Sequence, residues 1–518
     1  MINDQTTPDV ERSEVPSVQG LEADVIVIGA GVTGLTAGLA LKLAGRRVVV
    51  LEAQRSRNNE SSRTTAHLTE VMDTRFGALL RRFGFEDTQL IIEGQRHAIN
   101  MIERWARDLA PDCGFRRVPG YLFAARDDRA QQAALEAELG AVTRLGYSDI
   151  LTEKVPAPFP VAGALRFERQ AQLRPAAYLR ALESQIHGNG SLVVRGIRVR
   201  AVEDDGSDKP VRVATNGGDV FAPHVIVATH VPIDDEAAIH ANLTAHRSYA
   251  VAARFRCDLG ALLWDLGAPY HYFRTVCMAR GEYLIAGGGD HSVGATIDTE
   301  KVLKDLAEHM RERFGPVEIT HRWSGQIIET LDGLPYVGED TATKRVSLAT
   351  GFGGNGFTGG TLAGLVLSDA IRGRENRWAR LLAPTRSLPL ATLGRKVRRN
   401  LTAMKRLAGL LKDQSRAVED LPPRTGMVTS RYGDRLAVYR NEAGVLYTLS
   451  AVCPHRGGHV AWNHAERSWD CPSCGSRFGV TGEVLNGPAQ QDLSLRYLAE
   501  SASTPSSSYA AAAAGPGT

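Results

Sequence analysis

The glycine-rich turn 29–34 constrains the fold of this chain more than any other feature. A short apolar strand, 25–28, leads into the turn, and small and apolar residues then recur at helical spacing up to Leu43. A second apolar strand over 47–51 ends in Glu52. This order of strand, turn, helix and strand predicts the first βαβ unit of a dinucleotide-binding domain.

Each glycine of the turn has a physical reason. Gly29 permits the tight turn, Gly31 lets the backbone approach a pyrophosphate, and Gly34 lets the helix pack on the strand. The N-terminus of the helix then faces the phosphates. Glu52 is placed to accept a hydrogen bond from a ribose hydroxyl, and its charge repels a 2′-phosphate. The chain carries one copy of this fingerprint, whereas enzymes that pass electrons from NAD(P)H into a flavin usually carry two, so FAD is favoured.

Length and composition are typical of a multidomain globular protein. The 518 residues allow two or three domains, and 43% hydrophobic and 23% charged residues are ordinary values. The net charge of +3 does not favour nucleic-acid binding. Three scattered cysteines, Cys113, Cys257 and Cys277, predict a reducing compartment without a disulfide framework. With no signal peptide and no apolar run of about 20 residues, we expect a cytoplasmic protein.

The other three cysteines lie in the segment 453–477. They occur as Cys453-Pro-His455 and Cys471-Pro-Ser-Cys474, two short ligand pairs separated by a loop. Such pairs make two metal-binding loops that face each other. The flanking Pro, Gly and Asp residues do not suit a buried core strand, so we predict a metal or iron–sulfur site.

The segments between these two motifs predict a mixed α/β architecture. We expect mainly helices over 70–165, a return to the first parallel sheet at 225–228, and an antiparallel sheet over 247–330. The hydroxyl-rich segment 61–69 suits a flavin ribityl chain or pyrophosphate, although it also fits a helix N-cap cluster. A second glycine-rich turn, 351–358, opens a helix and could reach the same cofactor.

Four motifs in order resemble the D-amino-acid-oxidase-like FAD-dependent oxidoreductases, a family that includes glycine and sarcosine oxidases and gamma-glutamylputrescine oxidoreductase. They are the fingerprint 29–34 and the segments 64–69, 323–338 and 349–364. The resemblance implies an α/β FAD-binding Rossmann-type domain, discontinuous in sequence, and an antiparallel substrate domain with the substrate over the flavin ring.

The resemblance also implies which positions contact FAD. They are Gly29, Ala30, Gly31, Gly34, Glu52, Ala53, Thr64, Thr65, Val199, Gly351, Phe352, Gly353, Gly356, Phe357 and Thr358. Whether FAD is held covalently stays open, with His67 as the candidate for attachment.

The segment 425–490 resembles a Rieske [2Fe–2S] domain, which is a small all-β fold. Rieske centres use Cys-x-His and Cys-x-x-His, with both histidines on one iron. Cys453, His455 and Cys471 match this pattern, but Cys474 stands where histidine is expected. Gly458 and Ser473 occupy the positions where many Rieske proteins carry a loop-bracing disulfide.

Three states of the Cys453, His455, Cys471 and Cys474 site remain open. It could hold a [2Fe–2S] cluster, a structural zinc ion, or nothing. If iron is bound, the extra thiolate of Cys474 should lower the reduction potential, and Phe478, where Rieske proteins often have tyrosine, should act in the same direction. Ser476 could still donate a hydrogen bond to a sulfur.

The substrate is expected to be an amine. Family members that act on small amino acids carry an arginine that clamps the carboxylate, and Ile327 occupies that place here. Glycine, sarcosine and D-amino acids are therefore disfavoured relative to a larger amine. No catalytic side chain can be assigned, and Tyr249, Tyr270, His271 and Arg274 are candidates.

The predicted function is oxidation of a C–N bond by hydride transfer to FAD. Electrons would leave singly through the [2Fe–2S] cluster to an acceptor such as a ferredoxin or cytochrome. One alternative is an oxidase that uses O2 and carries a zinc-stabilised or empty docking module. Another is a redox sensor or electron carrier without small-molecule turnover.

The predicted domain limits follow these motifs. They are a disordered leader 1–22, the FAD-dependent oxidoreductase 23–385, a linker 386–420 with a basic amphipathic helix, the Rieske-type domain 421–499 and a disordered tail 500–518.

Overall fold

The computed structural model describes residues 14–496 except 58, 149, 234–237, 279–280, 296, 341–342, 344, 390–391, 393–417 and 432. The predicted linker helix and the predicted disordered tail lie outside the described residues, apart from a few residues at the ends of the linker. Among the described residues, no helix is both long and apolar enough to cross a membrane.

The helices are α1 (Val32–Leu43), α2 (Glu60–Arg63), α3 (Phe76–Leu109), α4 (Arg129–Arg144), α5 (Pro175–Ile186), α6 (Thr299–Phe314), α7 (Gly356–Ile371) and α8 (Ala379–Leu382). The strands up to residue 227 are β1 (Leu21–Glu22), β2 (Val25–Ile28), β3 (Val48–Glu52), β4 (His67–Leu68), β5 (Arg116–Ala125), β6 (Leu151–Thr152), β7 (Val161–Gln172), β8 (Leu192–Arg195), β9 (Val199–Glu203), β10 (Val211–Thr215), β11 (Gly218–Ala222) and β12 (His224–Val227). The later strands are β13 (Leu243–Arg254), β14 (Leu262–Asp265), β15 (His271–Met278), β16 (Gly281–Ser292), β17 (Ile319–Thr330), β18 (Tyr336–Glu339), β19 (Val346–Thr350), β20 (Thr425–Arg431), β21 (Asp434–Arg440), β22 (Leu446–Ser450), β23 (Ala461–Asn463), β24 (Ser468–Asp470), β25 (Arg477–Phe478) and β26 (Val484–Asn486).

A six-stranded sheet in the order β18-β19-β12-β2-β3-β8 carries the glycine-rich turn. Its strands are parallel except for β18, which is antiparallel to β19. Strands β2 and β3 are buried along their whole length and rich in Val and Ile, as expected for a parallel sheet covered on both faces. Because β12 pairs in parallel with β2, the predicted return of the chain to this sheet is confirmed.

Helices α1 and α7 pack closely beside this sheet. A Cβ atom added to Gly360 would lie 2.7 Å from Thr33 Oγ1, and one added to Gly364 would lie 2.7 Å from Thr36 Cβ. Small residues at these positions let the two helices approach, and they bring both glycine-rich turns to one side of the molecule.

The second large sheet has nine strands, in the order β17-β13-β16-β15-β14-β5-β7-β4 with β6 on β7. The antiparallel arrangement predicted for 247–330 is confirmed by β13, β15, β16 and β17. The prediction that 70–165 is mainly helical is wrong in part, because β5 and the start of β7 lie in this sheet. Their apolar runs suit a strand that is buried against helix α4.

The described part of the predicted disordered leader is also structured. Val18 is buried and its N–H donates to the Gly217 carbonyl, while Leu21 and Glu22 form a strand parallel to β11. The expectation of disorder is therefore wrong for 14–22, because Val18 adds to a core that the leader's polar composition does not reveal.

The C-terminal residues from 425 onward fold as two small sheets, β20-β21-β22 and β23-β24-β25-β26. Their shared core contains Trp469 and Phe478, both fully buried, together with the three cysteines of the predicted metal site. The all-β character expected for this segment is confirmed.

Candidate functional site

The turn 29–34 has the geometry that a dinucleotide needs. Gly29 adopts a positive φ of +103°, and a Cβ atom there would lie 2.5 Å from the Ala228 carbonyl oxygen. A Cβ atom on Gly34 would lie 1.9 Å from the Gly29 carbonyl oxygen. Both positions therefore exclude a side chain, and the start of α1, with Gly31, Val32 and Thr33, lines the cavity beside the turn.

Glu52 lies at the end of β3 and lines the same cavity. Its carboxylate accepts hydrogen bonds from the Ala30 N–H at 2.8 Å and the Gln54 N–H at 2.9 Å. A carboxylate has about four acceptor sites, so capacity remains for the hydroxyls of a ribose.

A cavity with about 2160 Å³ of empty space, counted out to its open mouth, runs from this turn across the edge of the nine-stranded sheet. The predicted cofactor residues that line it are Gly29, Gly31, Glu52, Ala53, Thr64, Thr65, Val199, Phe352, Gly353, Gly356 and Phe357. The predicted residues Ala30, Gly34, Gly351 and Thr358 do not line it and instead shape the backbone behind its wall. Two distant glycine-rich turns thus meet at one cavity whose residues fit FAD.

The far end of the cavity has an aromatic and acidic wall, of which the sequence predicted only Tyr270. Its side chains include Trp264, Tyr270, Tyr272 and Asp73. The rings of Tyr270 and Tyr272 lie 5.9 Å apart. These residues come from separate strands and loops, so only the register of the sheet brings them together.

Asp290, on β16, lies directly behind this wall. Burial raises the pKa of the Asp290 carboxyl to about 7, and the nearby Ser248 and Tyr270 hydroxyls offset part of that rise. The carboxyl can therefore change its charge near neutral pH.

The candidate catalytic residues separate into two groups. Tyr249 and Tyr270 line the cavity, and the Tyr249 hydroxyl lies 3.2 Å from His291 Nε2. His271 does not line it. Instead His271 Nδ1 lies 3.2 Å from Asp265 Oδ2, and its ring stacks on His309 at 4.0 Å. The structure therefore does not bring the candidate His271 to the cavity, because the strand alternation turns this side chain to the opposite face of the sheet from Tyr272.

Arg274 and His67 are both buried near the cavity. Arg274 does not line it and donates to the carbonyl oxygens of Ala66 and Leu173, which is a structural role. His67 lines the cavity, with its ring 5.0 Å from that of Tyr272 in an edge-on contact. Burial and the charge of Arg274 lower the pKa of His67 to about 3, so the imidazole is neutral.

The predicted metal loops face each other at the end of the C-terminal domain. One follows β22 and is closed by a hydrogen bond from the Cys453 N–H to the Gly458 carbonyl, and the other follows β24. The sulfur atoms of Cys453, Cys471 and Cys474 lie within 4.8 Å of one another and are buried. His455 is half-buried on the first loop and is not part of this group of three sulfurs. Three converging buried thiols fit an iron–sulfur cluster.

The substituted ligand, Cys474, points into the site. Its Sγ atom lies 3.8 Å from Cys453 Sγ and 3.0 Å from Ser476 Oγ. Because Ser476 Oγ already accepts from the Ala489 N–H, its proton is available to donate to the sulfur. Hydrogen bonds from the Cys471 and Cys474 thiols lower the pKa of Cys453, so one thiolate forms readily.

Gly458 and Ser473 face each other across the two loops. A Cβ atom on Gly458 would lie 2.3 Å from Ser473 Oγ and 3.1 Å from Cys471 Sγ. Many Rieske proteins carry a loop-bracing disulfide at these two positions, and the sequence predicts that this chain lacks it. The two loops are therefore in direct packing contact here, and each is closed by its own backbone hydrogen bonds.

The two redox sites are joined by direct contacts. The Gln326 side chain, which lines the cavity, donates to the Gly475 carbonyl at 2.7 Å. Glu60 accepts from the Gln326 N–H at 2.8 Å and from the Asn486 side chain at 2.8 Å. Gly475 is adjacent to Cys474, so a single side chain separates the cavity wall from the second metal loop.

A family model described as FAD dependent oxidoreductase matches residues 24–370. The chain belongs to this family. A second model, the Rieske [2Fe-2S] domain, matches residues 414–499. Together the matches confirm an FAD oxidoreductase of the amine and amino acid oxidase type with a C-terminal Rieske domain.

Three known proteins show similarity over most of their length. The putative Rieske 2Fe-2S iron-sulfur protein YhfW of Bacillus subtilis (strain 168) is 29% identical over 93% of this chain and 95% of its own. Gamma-glutamylputrescine oxidoreductase of Escherichia coli (strain K12) is 26% identical over 70% of this chain and 86% of its own. The structure of glycine oxidase from Geobacillus kaustophilus covers 71% of this chain and 99% of its own, with a TM-score of 0.59 and 18% identity, which confirms the fold.

The comparisons decide part of the cofactor prediction. The family implies FAD, and the Rieske domain implies a [2Fe–2S] cluster. They give no support to zinc at the cysteine site.

Proposed function

We propose that this protein oxidises a C–N bond of an amine with FAD and that the electrons leave through the C-terminal [2Fe–2S] cluster. FAD held by the two glycine-rich turns and Glu52 would supply the two-electron acceptor for oxidation of the α-carbon of a neutral amine to an imine, which water would then hydrolyse. The cluster carries one electron at a time, which suits a one-electron acceptor such as a ferredoxin or cytochrome better than O2.

The observation that carries this proposal is the hydrogen bond from Gln326 to Gly475. It joins a strand of the cavity wall to the loop that holds Cys474. Gln326 is buried, so this hydrogen bond lies within a packed interface and is not a solvent-exposed surface contact. An electron leaving the cavity would therefore meet the cluster within the same chain.

An amine substrate is supported by the charge of the cavity wall. Ile327 lines the cavity at the position where family members that act on small amino acids carry an arginine. An aliphatic side chain cannot hold a substrate carboxylate. Asp73 and Asp290 place acidic groups at the aromatic end, and aromatic faces attract cations. Arg75 also lines the cavity beside Asp73 and offsets part of this negative charge. Asp290, behind the wall, adds negative charge to this end of the cavity when it is ionised.

A substrate panel tests the proposal. The FAD-loaded protein is mixed anaerobically with putrescine-type amines, sarcosine and D-alanine, and the flavin absorbance and the reduced-cluster EPR signal are followed. We expect the amines to bleach the flavin faster than sarcosine or D-alanine, followed by the cluster signal. Rapid reduction by sarcosine would contradict the substrate assignment, and flavin reduction with no cluster signal would favour an O2-using oxidase.

Asp290 predicts how amine binding depends on pH. Its pKa of about 7 means that the carboxyl is neutral below that pH and charged above it, so binding of a cationic amine should strengthen as pH rises through 7. Asp290→Asn should weaken binding at pH 8 by about tenfold and should leave binding at pH 5 nearly unchanged. Ligand titrations that follow the flavin spectrum measure this, with Asp298→Asn on the surface as the control. An equal loss at both pH values would contradict the assignment.

A further inference from the structure

The C-terminal domain forms part of the cavity wall. Leu485, Asn486, Gly487 and Gln490 line the same cavity as the glycine-rich turn 29–34. We call residues 485–490 the closing segment. The family model for the FAD-dependent oxidoreductase ends at residue 370, so nothing in that match assigns a cofactor role to this segment.

The closing segment is held in place from the FAD-binding side. Gln54 Nε2 lies 3.2 Å from Asn486 Oδ1 and 3.4 Å from the Leu485 carbonyl. Arg198 donates to the Val484 carbonyl at 3.2 Å. Asn486 in turn donates to Glu60 at 2.8 Å. Hydrogen bonds with Gln54, Arg198 and Glu60 thus hold the start of the closing segment and the residue before it.

These anchors show which part of the cavity the closing segment covers. Glu52 ends β3, Gln54 follows it, and Val199 begins β9, so the segment lies beside the residues placed for the ribose. It therefore lies over the part of the cavity beside Glu52 and Val199, where the adenosine of a bound dinucleotide is expected.

The closing segment also carries chemistry that suits an adenosine. Gln490 lines the cavity, its Nε2 donates to the Pro488 carbonyl, and its buried Oε1 has no hydrogen-bond partner among the described residues. A carboxamide offers both a donor and an acceptor, which is the pairing that an adenine edge or a ribose hydroxyl requires. A buried acceptor left without a donor is costly, so a ligand group is expected to satisfy it.

We propose that the closing segment of the Rieske domain is part of the FAD-binding site, with Asn486 and Gln490 as cofactor-binding residues. The domain then closes the adenosine end of the cavity as well as carrying the cluster. Because binding couplings are reciprocal, FAD should hold the Rieske domain against the cavity as strongly as the docked domain retains FAD.

Measurement of FAD affinity tests this proposal in the full-length protein. FAD is stripped and re-added, and its fluorescence is followed in the wild type, Asn486→Ala, Gln490→Ala and Gln491→Ala. Gln491 is the matched control, because it is the neighbouring glutamine, is exposed and does not line the cavity. We expect Kd to rise about tenfold for Asn486→Ala and Gln490→Ala, which is the loss of about one hydrogen bond, and to stay unchanged for Gln491→Ala. Iron content equal to that of the wild type shows that the domain is intact.

A second measurement needs no variant. Hydrogen exchange of the closing segment in the wild type is compared with and without FAD, and we expect slower exchange when FAD is bound. Unchanged Kd in both variants, or equal exchange in the two states, would overturn the proposal. If one variant binds FAD more weakly and also loses iron, its C-terminal domain is no longer intact. The hydrogen-exchange comparison of the wild type with and without FAD then decides whether the proposal holds.

Discussion

At the scale of single residues, Cys474 sets this Rieske domain apart. Its thiol points at the other two sulfurs, so the substitution changes the ligand set and does not remove it. A thiolate adds negative charge where a Rieske centre has a neutral imidazole, which favours the oxidised cluster. Ser476 acts in the opposite direction, since its hydroxyl lies 3.0 Å from the Cys474 sulfur and can donate to it.

Replacing Cys474 should therefore raise the reduction potential. Cys474→His restores the two-histidine pattern, and we expect a rise on the order of 100 mV, because Rieske centres lie well above four-cysteine [2Fe–2S] proteins. Redox titration followed by EPR measures the potential. Ser430→Ala, an exposed serine on β20, should leave it unchanged. A variant potential equal to or below that of the wild type would refute the role assigned to the thiolate.

At the scale of secondary-structure elements, β17 connects the two redox sites. Trp323, Gln326 and Ile327 all line the cavity, and Trp323 Nε1 donates to the Arg63 carbonyl at 2.8 Å. Gln326 reaches the metal loop of the C-terminal domain. Side chains alternate along a strand, so Trp323 and Ile327 share one face of β17 while the Gln326 side chain leaves the other face toward the metal loop.

The Gln326 contact should contribute measurably to stability. Gln326→Ala leaves the Gly475 carbonyl without this donor in a buried interface, and we expect a loss of about 1–3 kcal/mol in the free energy of unfolding. Gln132→Ala is the matched control, since Gln132 also donates to a backbone carbonyl but at the exposed surface, and should cost far less. Urea denaturation of the full-length protein measures both. Equal costs would show that the interface contact is not well formed in solution.

At the scale of the whole molecule, Glu60 joins three regions of the chain. It belongs to α2, accepts from the backbone of β17 and accepts from Asn486 of the C-terminal domain. Burial alone would raise the pKa of Glu60, but the charges of Arg63 and Arg247 outweigh it and hold the pKa below its ordinary value. The carboxylate is thus kept ionised at the centre of the interface.

This lowered pKa makes the interface sensitive to acid. A carboxyl whose folded pKa is depressed stabilises the protein above its unfolded pKa of about 4, and that contribution is lost as pH falls through the folded pKa. Glu60→Gln should cost about 1–3 kcal/mol at pH 7 and should flatten the decline in stability below pH 5. Thermal unfolding between pH 3 and pH 7 measures this. Glu442→Gln, which removes an exposed ion pair with Arg424, should change little at any pH, and an equally small change for Glu60→Gln would contradict its role.

The regular motifs of the sequence predicted the fold well, whereas the walls of the site were harder to predict. The strand, turn and helix around Gly29 follow from local chemistry, since Gly29 needs a positive φ and Gly34 leaves no room for a Cβ atom. Tyr272 and Asp290 carry no local signal, because a tyrosine or aspartate in a strand is equally compatible with solvent or core. His271 illustrates the difficulty, since a shift of one residue along β15 decides which face it occupies.

The sequence by itself determined the two cofactors' binding motifs and the unusual ligand Cys474, because those requirements act between residues that are close in the chain. Only the tertiary structure placed Gln326 against Gly475 and the closing segment over the cavity. These contacts join residues more than a hundred positions apart, and their geometry depends on how whole sheets pack. The local patterns therefore identify two redox modules, and the packing between them places the C-terminal domain at the wall of the cavity.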